Sequence, residues 1–254
     1  MELSLNGRAG IVTGAAQGLG RAMVDALLAS GASVSLVDRD QPTLAAVREE
    51  LARHGERTHS QVTDVSDAAA LRRAVDAAAE RFGRLDFLIN NAGIREIAPF
   101  RDYGLDAWER TIAINLTAPF VASQAAIPHF LAQGKGKIVN VASAAGELAL
   151  RNRVAYNVTK AGLVMLTKTI CFELASEGIM CNAVAPGVVE TPLAAAYFED
   201  EDMTRVIVEN TPLGRWGQPP EIAAAVVFLC SDAADFIQGH TLTVDGGWVA
   251  GKGY

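Results

Sequence analysis

Tyr156 and Lys160 stand four residues apart in the segment AYNVTKAGL, residues 155–163, among small and apolar neighbours. On a helix, positions i and i+4 share a face, so a phenol would lie one turn from an ammonium. A neighbouring cation favours the phenolate, and a tyrosine so placed has the makings of a general base. The same pair also fits two long side chains snorkelling from a surface helix. The rest of the chain has to decide between chemistry and solvation.

A second constellation lies near the start. VTGAAQGLGRAM places Gly14, Gly18 and Gly20 between an apolar run and a helical pattern, with Gln17 and Leu19 inside the loop. A glycine at 14 permits a sharp turn with positive φ. Glycines at 18 and 20 clear side chains where a pyrophosphate must approach the backbone and where helix meets sheet. The helix N-terminus then offers free N–H groups and a positive dipole end to phosphates. The spacing is G-x-x-x-G-x-G, which differs from the G-x-G-x-x-G dinucleotide fingerprint. Asp38 closes the next apolar run, where an acid can hydrogen-bond the adenosine ribose hydroxyls and repel a 2′-phosphate. NAD is therefore expected over NADP, although Arg39 follows directly and softens the preference, and Gln17 supplies no basic group for a 2′-phosphate. Asp38 also fits a simple cap on the following helix.

Positioning these groups requires a regular scaffold, and the pattern supplies one. Apolar, β-branched runs at AGIVTG, SVSLVD, THSQVTDV, LDFLINNAG, GKIVNVAS, IMCNAVAPG and HTLTVDGG alternate with helical periodicities. The helices read as LGRAMVDALLASGA, QPTLAAVREELARHGE, DAAALRRAVDAAAERFG, LDAWERTIAINLTAPFVASQAAIPHFL, AYNVTKAGLVMLTKTICFELAS and EIAAAVVFLCS. Strands alternating with helices mean β-α-β crossovers and a mostly parallel, seven-stranded sheet covered on both faces. Residues 191–220 interrupt the rhythm with four prolines, acidic residues and short helical pieces. An insertion of this kind at a strand end is where lids and specificity loops sit. An ordinary helical hairpin packed on the sheet is the alternative.

Composition narrows the function classes. The chain has 254 residues, half of them hydrophobic, and a net charge of −7. No linker, repeat or charge run divides it, so residues 1–254 are expected to form one domain. The acidic balance argues against a nucleic-acid duplex or an anionic membrane as partner. Cys171, Cys181 and Cys230 form no C-x-x-C pair and are odd in number, which fits buried thiols in a reducing cytoplasm. No signal peptide and no run long enough to span a membrane is visible. His54, His59, His129 and His240 lack metal-ligand spacing, so no metal site is expected.

Taken in order, TGAAQGLG, the NNAG at 90–93, Asn115, Ser143, Tyr156 with Lys160, PGVVET at 186–191 and the closing VDGG resemble the short-chain dehydrogenase/reductase family, nearly end to end. The resemblance implies a doubly wound Rossmann-type α/β fold and a catalytic set of Asn115, Ser143, Tyr156 and Lys160. Asn91, Ala92 and Gly93 would lie beside the cofactor, Asp64 and Val65 would contact adenine, and Pro186, Gly187, Val189 and Thr191 would meet the nicotinamide carboxamide. Tyr156 would exchange a proton with a secondary alcohol or carbonyl while hydride passes to or from the nicotinamide. Its phenol, ordinarily near pKa 10, would be lowered by Lys160 and by the oxidised nicotinamide. Ser143, 13 residues before Tyr156, would hydrogen-bond the reacting oxygen. Asn115 would hold a water linking Lys160 to solvent, although an asparagine in an apolar stretch also fits a role in satisfying backbone groups.

The substrate is read from charged residues at the expected mouth of the site. Glu147, Leu148, Arg151, Arg153, Arg95, Glu96, Tyr197 and Phe198 are candidates to face the reacting oxygen. Their polarity suits a sugar, a polyol or a hydroxy acid better than a steroid, and arginines bind carboxylates well. A 3-oxoacyl-thioester reductase is the alternative within the same chemistry, and a non-catalytic nucleotide-binding scaffold a remote one. A nucleotide-sugar epimerase would also use Tyr-x-x-x-Lys, but with a different glycine spacing and a longer C-terminal domain. The resemblance further implies a homotetramer or homodimer built on the fourth and fifth helices and the last strand, with the tail GGWVAGKGY docking on a neighbour or fraying.

Overall fold

The computed structural model describes residues 3–251. Its centre is a seven-stranded sheet in which every pairing is parallel: β1 Ala9–Thr13, β2 Ser33–Asp38, β3 Thr58–Val62, β4 Phe87–Asn90, β5 Gly136–Val141, β6 Ile179–Pro186 and β7 Thr241–Val244. The spatial order is β3-β2-β1-β4-β5-β6-β7. β1, β4 and β5 are buried throughout, as strands covered on both faces must be.

Nine α-helices carry the crossovers and the late insertion among the described residues: α1 Gly18–Ala29, α2 Gln41–Glu50, α3 Ala68–Phe82, α4 Leu105–Ile112, α5 Ala118–Gln133, α6 Val154–Leu174, α7 Ala195–Phe198, α8 Glu201–Asn210 and α9 Pro219–Cys230. Two cores flank the sheet. One joins Val24, Leu27 and Leu28 of α1 to Val226 and Leu229 of α9. The other joins Leu71 and Val75 of α3 to Val121, Ala122 and Phe130 of α5. Truncating a fully buried leucine such as Leu27 to alanine would cost about 2–5 kcal/mol.

The strand order reverses between β1 and β4, since β2 lies on one side of β1 and the next crossover lands on the other. Ligands of open parallel sheets bind outside the carboxyl ends of the strands at such a switch point.

The fourth helix differs from its expected single span. α4 and α5 are joined by a π-helical turn, Ala113–Thr117, whose backbone stays near αR on either side. The wider turn carries one extra residue within a nearly continuous helix, the usual form of a π-bulge. It puts Asn115 fully inside the protein. Of the tail, Lys252, Gly253 and Tyr254 lie outside the described residues, as do Met1 and Glu2.

Candidate active site

The carboxyl ends of β1 to β6 open on one cavity of about 500 Å³. At its first end the lining is mostly backbone. Gly14 turns with φ +64°, and a side chain there would press on the Ala92 backbone at 2.9 Å. A Cβ on Gly20 would meet the Gly14 carbonyl oxygen at 1.9 Å, so helix α1 can approach the turn only through a glycine. The NNAG segment straps the ends of β1 and β4 together. Asn91 donates through Nδ2 to the carbonyls of Thr13 (2.8 Å) and Gly14 (3.0 Å), while Thr13 Oγ1 accepts from the amides of Asn91 and Ala92.

Helix α1 opens differently from α2, α3 and α8. Those three begin on Asp40, Asp67 and Asp200, whose side chains accept first-turn amides. α1 begins on Gln17, whose backbone is extended and whose side chain caps nothing. The first amides of a helix need an acceptor from outside it, and Gly18, Leu19 and Gly20 line the cavity. The arrangement fits a pyrophosphate: uncapped amides, a positive dipole end and a cradle that a Cβ would fill. Asp38 closes β2 at the same end, with its carboxylate held by the amides of Ala16 and Asp40, each at 3.0 Å. Arg39, Asp64 and Val65 join it in the lining. These groups fit the adenosine side of a nicotinamide dinucleotide. Pro186, Gly187, Val189 and Thr191 line the cavity further along.

At the other end the lining is side chains. Ser143, next to the end of β5, and Tyr156 and Lys160, in the first turns of α6, meet there. Ser143 Oγ accepts from the Ala145 amide at 3.1 Å and hydrogen-bonds Tyr156. Lys160 is buried, donates to the Val141 carbonyl at 2.6 Å and sits 5.5 Å from the centre of the Tyr156 ring. Burial pushes its ammonium down to about 8. Burial also holds the Tyr156 phenol above its ordinary value, while the Ser143 hydrogen bond and the charges of Arg95 and Arg153 pull it back down. The expected cations were Lys160 and the oxidised nicotinamide. In the protein alone, the charges of Arg95 and Arg153 join Lys160 in facing the phenol.

Asn115 satisfies backbone groups, the second of the two roles open to it. Its Oδ1 accepts from the Ile94 amide and its Nδ2 donates to the Ile94 carbonyl, both at 2.8 Å, with Thr159 Oγ1 a further partner at 3.3 Å. The side chain fixes the loop after β4. That loop carries Arg95.

The proposed substrate contacts divide. Arg95, Arg153 and Tyr197 line the cavity. Glu147 and Arg151 are exposed and outside the lining: Glu147 accepts from Thr243 Oγ1 at 2.9 Å, and the Arg151 carbonyl accepts from Arg153. Leu148 is outside it too. Glu96 pairs with Arg110 at 2.8 Å, and Phe198 packs on Trp216 with ring centres 4.8 Å apart. Thr63, Ile94, Leu150 and Trp248 line the cavity without having been singled out. Each lies within a few residues of a recognised tag, and an apolar wall carries no chemical mark in sequence. Among the described residues no cluster of His, Cys, Asp and Glu could hold a metal, and no helix is long and apolar enough to cross a membrane.

Comparison with known proteins agrees with this geometry. Residues 14–249 match the family described as Enoyl-(Acyl carrier protein) reductase. A 3beta-hydroxysteroid dehydrogenase 2 from Eggerthella lenta is 37% identical, over 97% of this chain and 96% of its own length. D-threitol dehydrogenase from Mycolicibacterium smegmatis is 38% identical, over 97% of this chain and 95% of its own. The crystal structure of a gluconate 5-dehydrogenase from Burkholderia cenocepacia, in complex with NADP and tartrate, superposes with a TM-score of 0.94 at 37% identity, covering 98% of both chains.

Proposed function

The chain belongs to the short-chain dehydrogenase/reductase family, and from that premise we propose that it interconverts a secondary alcohol and a carbonyl on a sugar, polyol or hydroxy acid, with Tyr156 as general acid and base. The observation that carries the reading is the meeting of Ser143, Tyr156 and Lys160 at one end of a cleft whose other end is shaped for a pyrophosphate. A bound nicotinamide dinucleotide supplies the hydride acceptor in oxidation and the donor in reduction. Tyr156 takes the hydroxyl proton of the alcohol, or returns it to the carbonyl oxygen. Ser143 holds that oxygen by hydrogen bonding. Lys160, already costly to charge in its buried position, passes protons readily at mildly alkaline pH. Asn115 keeps the loop of Ile94 and Arg95 in place. The segment 191–220 acts as the lid, since Leu193 and Tyr197 meet Arg95 and Arg153 at the substrate end while Thr191 and Pro192 lie over Gly18.

The substrate class rests on polarity. Two guanidiniums at the substrate end suit a hydroxylated or anionic ligand better than a steroid, and D-threitol and gluconate 5-dehydrogenases stand among the similar proteins. A 3-oxoacyl-[acyl-carrier-protein] reductase also stands among the similar proteins, which keeps a 3-oxoacyl thioester as the second reading. For the cofactor, Asp38 favours NAD by repelling a 2′-phosphate. Arg39 at the same rim would offset part of that repulsion, and the Burkholderia enzyme was solved with NADP. Exposed Phe120, Met165 and Phe172 on α5 and α6 support assembly through those helices, and the chain is read as cytoplasmic.

The test is the near-ultraviolet absorbance of the reduced nicotinamide. Purified protein is mixed with NAD or NADP and polyols, sugar acids and simple secondary alcohols, with 3-oxoacyl thioesters and reduced cofactor run in reverse. Oxidation of a polyol or sugar acid is expected. Turnover confined to the thioester would replace the substrate class, and absence of dinucleotide binding would overturn the reading altogether.

A further inference from the structure

Three side chains that are far apart in sequence meet beside Tyr156. Arg95 comes from the loop after β4, Arg153 from the start of α6 and Tyr197 from α7. The Arg95 guanidinium lies 4.5 Å from the centre of the Tyr197 ring and that of Arg153 5.4 Å, both in cation–π range. Arg153 also donates through Nε to the Tyr197 hydroxyl at 3.0 Å, with Nη2 on the same oxygen. Arg95 reaches the roof itself, donating to the Leu193 carbonyl at 2.6 Å.

The cluster is charged and uncompensated. Among the described residues, neither guanidinium has a carboxylate within ion-pair distance, although the neighbouring Arg110 is neutralised by Glu96. The ionisable groups that act on Arg95 are Tyr197, Tyr156 and the like-charged Arg153. Two half-buried cations that repel each other pay for desolvation with no partner to repay it. Arg153 spends much of its fork on Tyr197 and on the Arg151 carbonyl. Among the described residues Arg95 has one hydrogen-bond partner, and it lines the cavity, so the rest of its planar fork is available to a ligand. That fork matches a carboxylate in two-point geometry.

We propose that Arg95 and Arg153, packed on Tyr197, form an anion subsite that receives the carboxylate of a hydroxy acid whose secondary alcohol lies at Ser143 and Tyr156. This rests on the dehydrogenase reading above and narrows it from polar substrates to acids. Arg95 is the principal donor. Arg153 adds charge and holds the Tyr197 hydroxyl, which makes it a positioning residue. Because Tyr197 and Leu193 belong to the roof, the subsite is complete only when the roof lies over the cleft.

The test compares tartrate with threitol, which has the same four-carbon diol core with CH₂OH in place of each carboxylate. Both are titrated calorimetrically into the full-length protein saturated with dinucleotide. Tartrate should bind at least about tenfold more tightly than threitol, as charge-assisted hydrogen bonds allow. Arg95→Gln should erase that margin, and Arg95→Lys should restore part of it by returning charge without the fork. Arg153→Gln and Tyr197→Phe should reduce the margin less. Dinucleotide affinity, measured on each variant, reports whether the fold and the first end of the cleft survive. Equal binding of threitol, a margin that persists in Arg95→Gln, or equally tight binding of inorganic phosphate would each overturn the carboxylate subsite and leave the dehydrogenase reading standing. Failure of the wild type to bind dinucleotide would instead remove the premise, and the subsite with it.

Discussion

The two ends of the cleft are built from different materials. At the dinucleotide end a backbone turn, closed by Gly14 and Gly20 where a Cβ would clash, sets the uncapped start of α1 beside the side chains of Asp38, Arg39 and Asp64. At the substrate end the polar groups are long side chains, Arg95, Arg153, Tyr156 and Tyr197, carried by separate elements. Backbone donors recognise what every dinucleotide shares, and their geometry is fixed by the turn. Side chains recognise what differs between substrates, and they can be exchanged without rebuilding the sheet. On this contrast, damage at the first end should abolish cofactor binding, and damage at the second should spare it.

Tyr156→Phe gives the largest expected effect. Removing one hydroxyl should lower kcat about a thousandfold, within the usual range for a lost general acid–base, while dinucleotide affinity measured by fluorescence titration stays near that of the wild type. In the wild type, oxidation should speed up as pH rises, because burial holds the phenol in its protonated form and the base must be deprotonated to accept the alcohol proton. The variant should lose that rising limb. A variant that kept full turnover would deny Tyr156 its role.

Gly20→Ala should do the opposite. A methyl group 1.9 Å from the Gly14 carbonyl oxygen cannot be absorbed without moving α1 or the turn. Overpacking of this kind costs about 1–3 kcal/mol. Dinucleotide affinity should fall about a hundredfold with the thermal midpoint, because the displaced backbone is itself the binding group. If only stability suffered, the amides of α1 would not be what holds the phosphates.

The same contrast explains what could be read in advance. TGAAQGLG, NNAG and Tyr-x-x-x-Lys are contiguous, and each names a backbone shape or a pair on one helix face, so the glycine turn and the meeting of Tyr156 with Lys160 at the cavity were legible in the sequence. So was the sheet, because strands buried on both faces read as continuous apolar runs. The substrate end was legible only as a set of candidates. Arg95 and Leu193 are 98 positions apart, and Arg153 and Tyr197 are 44 apart. No spacing rule separates Arg153, which enters the cavity, from Arg151 two residues earlier, which does not. Asn115 was found, but its engagement with Ile94 depends on a π-turn that hydrophobic periodicity does not reveal.

Asp38→Asn sharpens the comparison where a side chain intrudes on the backbone-built end. Its two carboxylate oxygens each accept from one amide, so the isosteric asparagine keeps the volume and one of the two hydrogen bonds while removing the charge. The ratio of kcat/KM for NAD over NADP should fall about tenfold, a change of about 1.4 kcal/mol, as Arg39 is left to attract the 2′-phosphate. An unchanged ratio would mean that the charge of Asp38 does not select the cofactor.

The smallest effect tests why α1 is left without a side-chain cap. Gln17 already has the extended backbone of an N-cap residue, yet it accepts no first-turn amide, whereas Asp67 accepts two at the start of α3. Gln17→Asp should therefore supply the missing cap and stabilise the protein without dinucleotide by about 1 kcal/mol, raising its melting temperature by about 3 °C for a chain of this size. The new carboxylate would occupy the donors and oppose the dipole's attraction for phosphate, so dinucleotide affinity should drop about fivefold, the same 1 kcal/mol with the sign reversed. Asp67→Ala should cost α3 a similar amount with no change in affinity. Stability and affinity moving in opposite directions at position 17, and independently at 67, would show that the open helix end is kept for the ligand at the expense of the fold. If both rose together at 17, the amides of α1 would be spectators, and the division between a backbone end and a side-chain end would fail at its foundation.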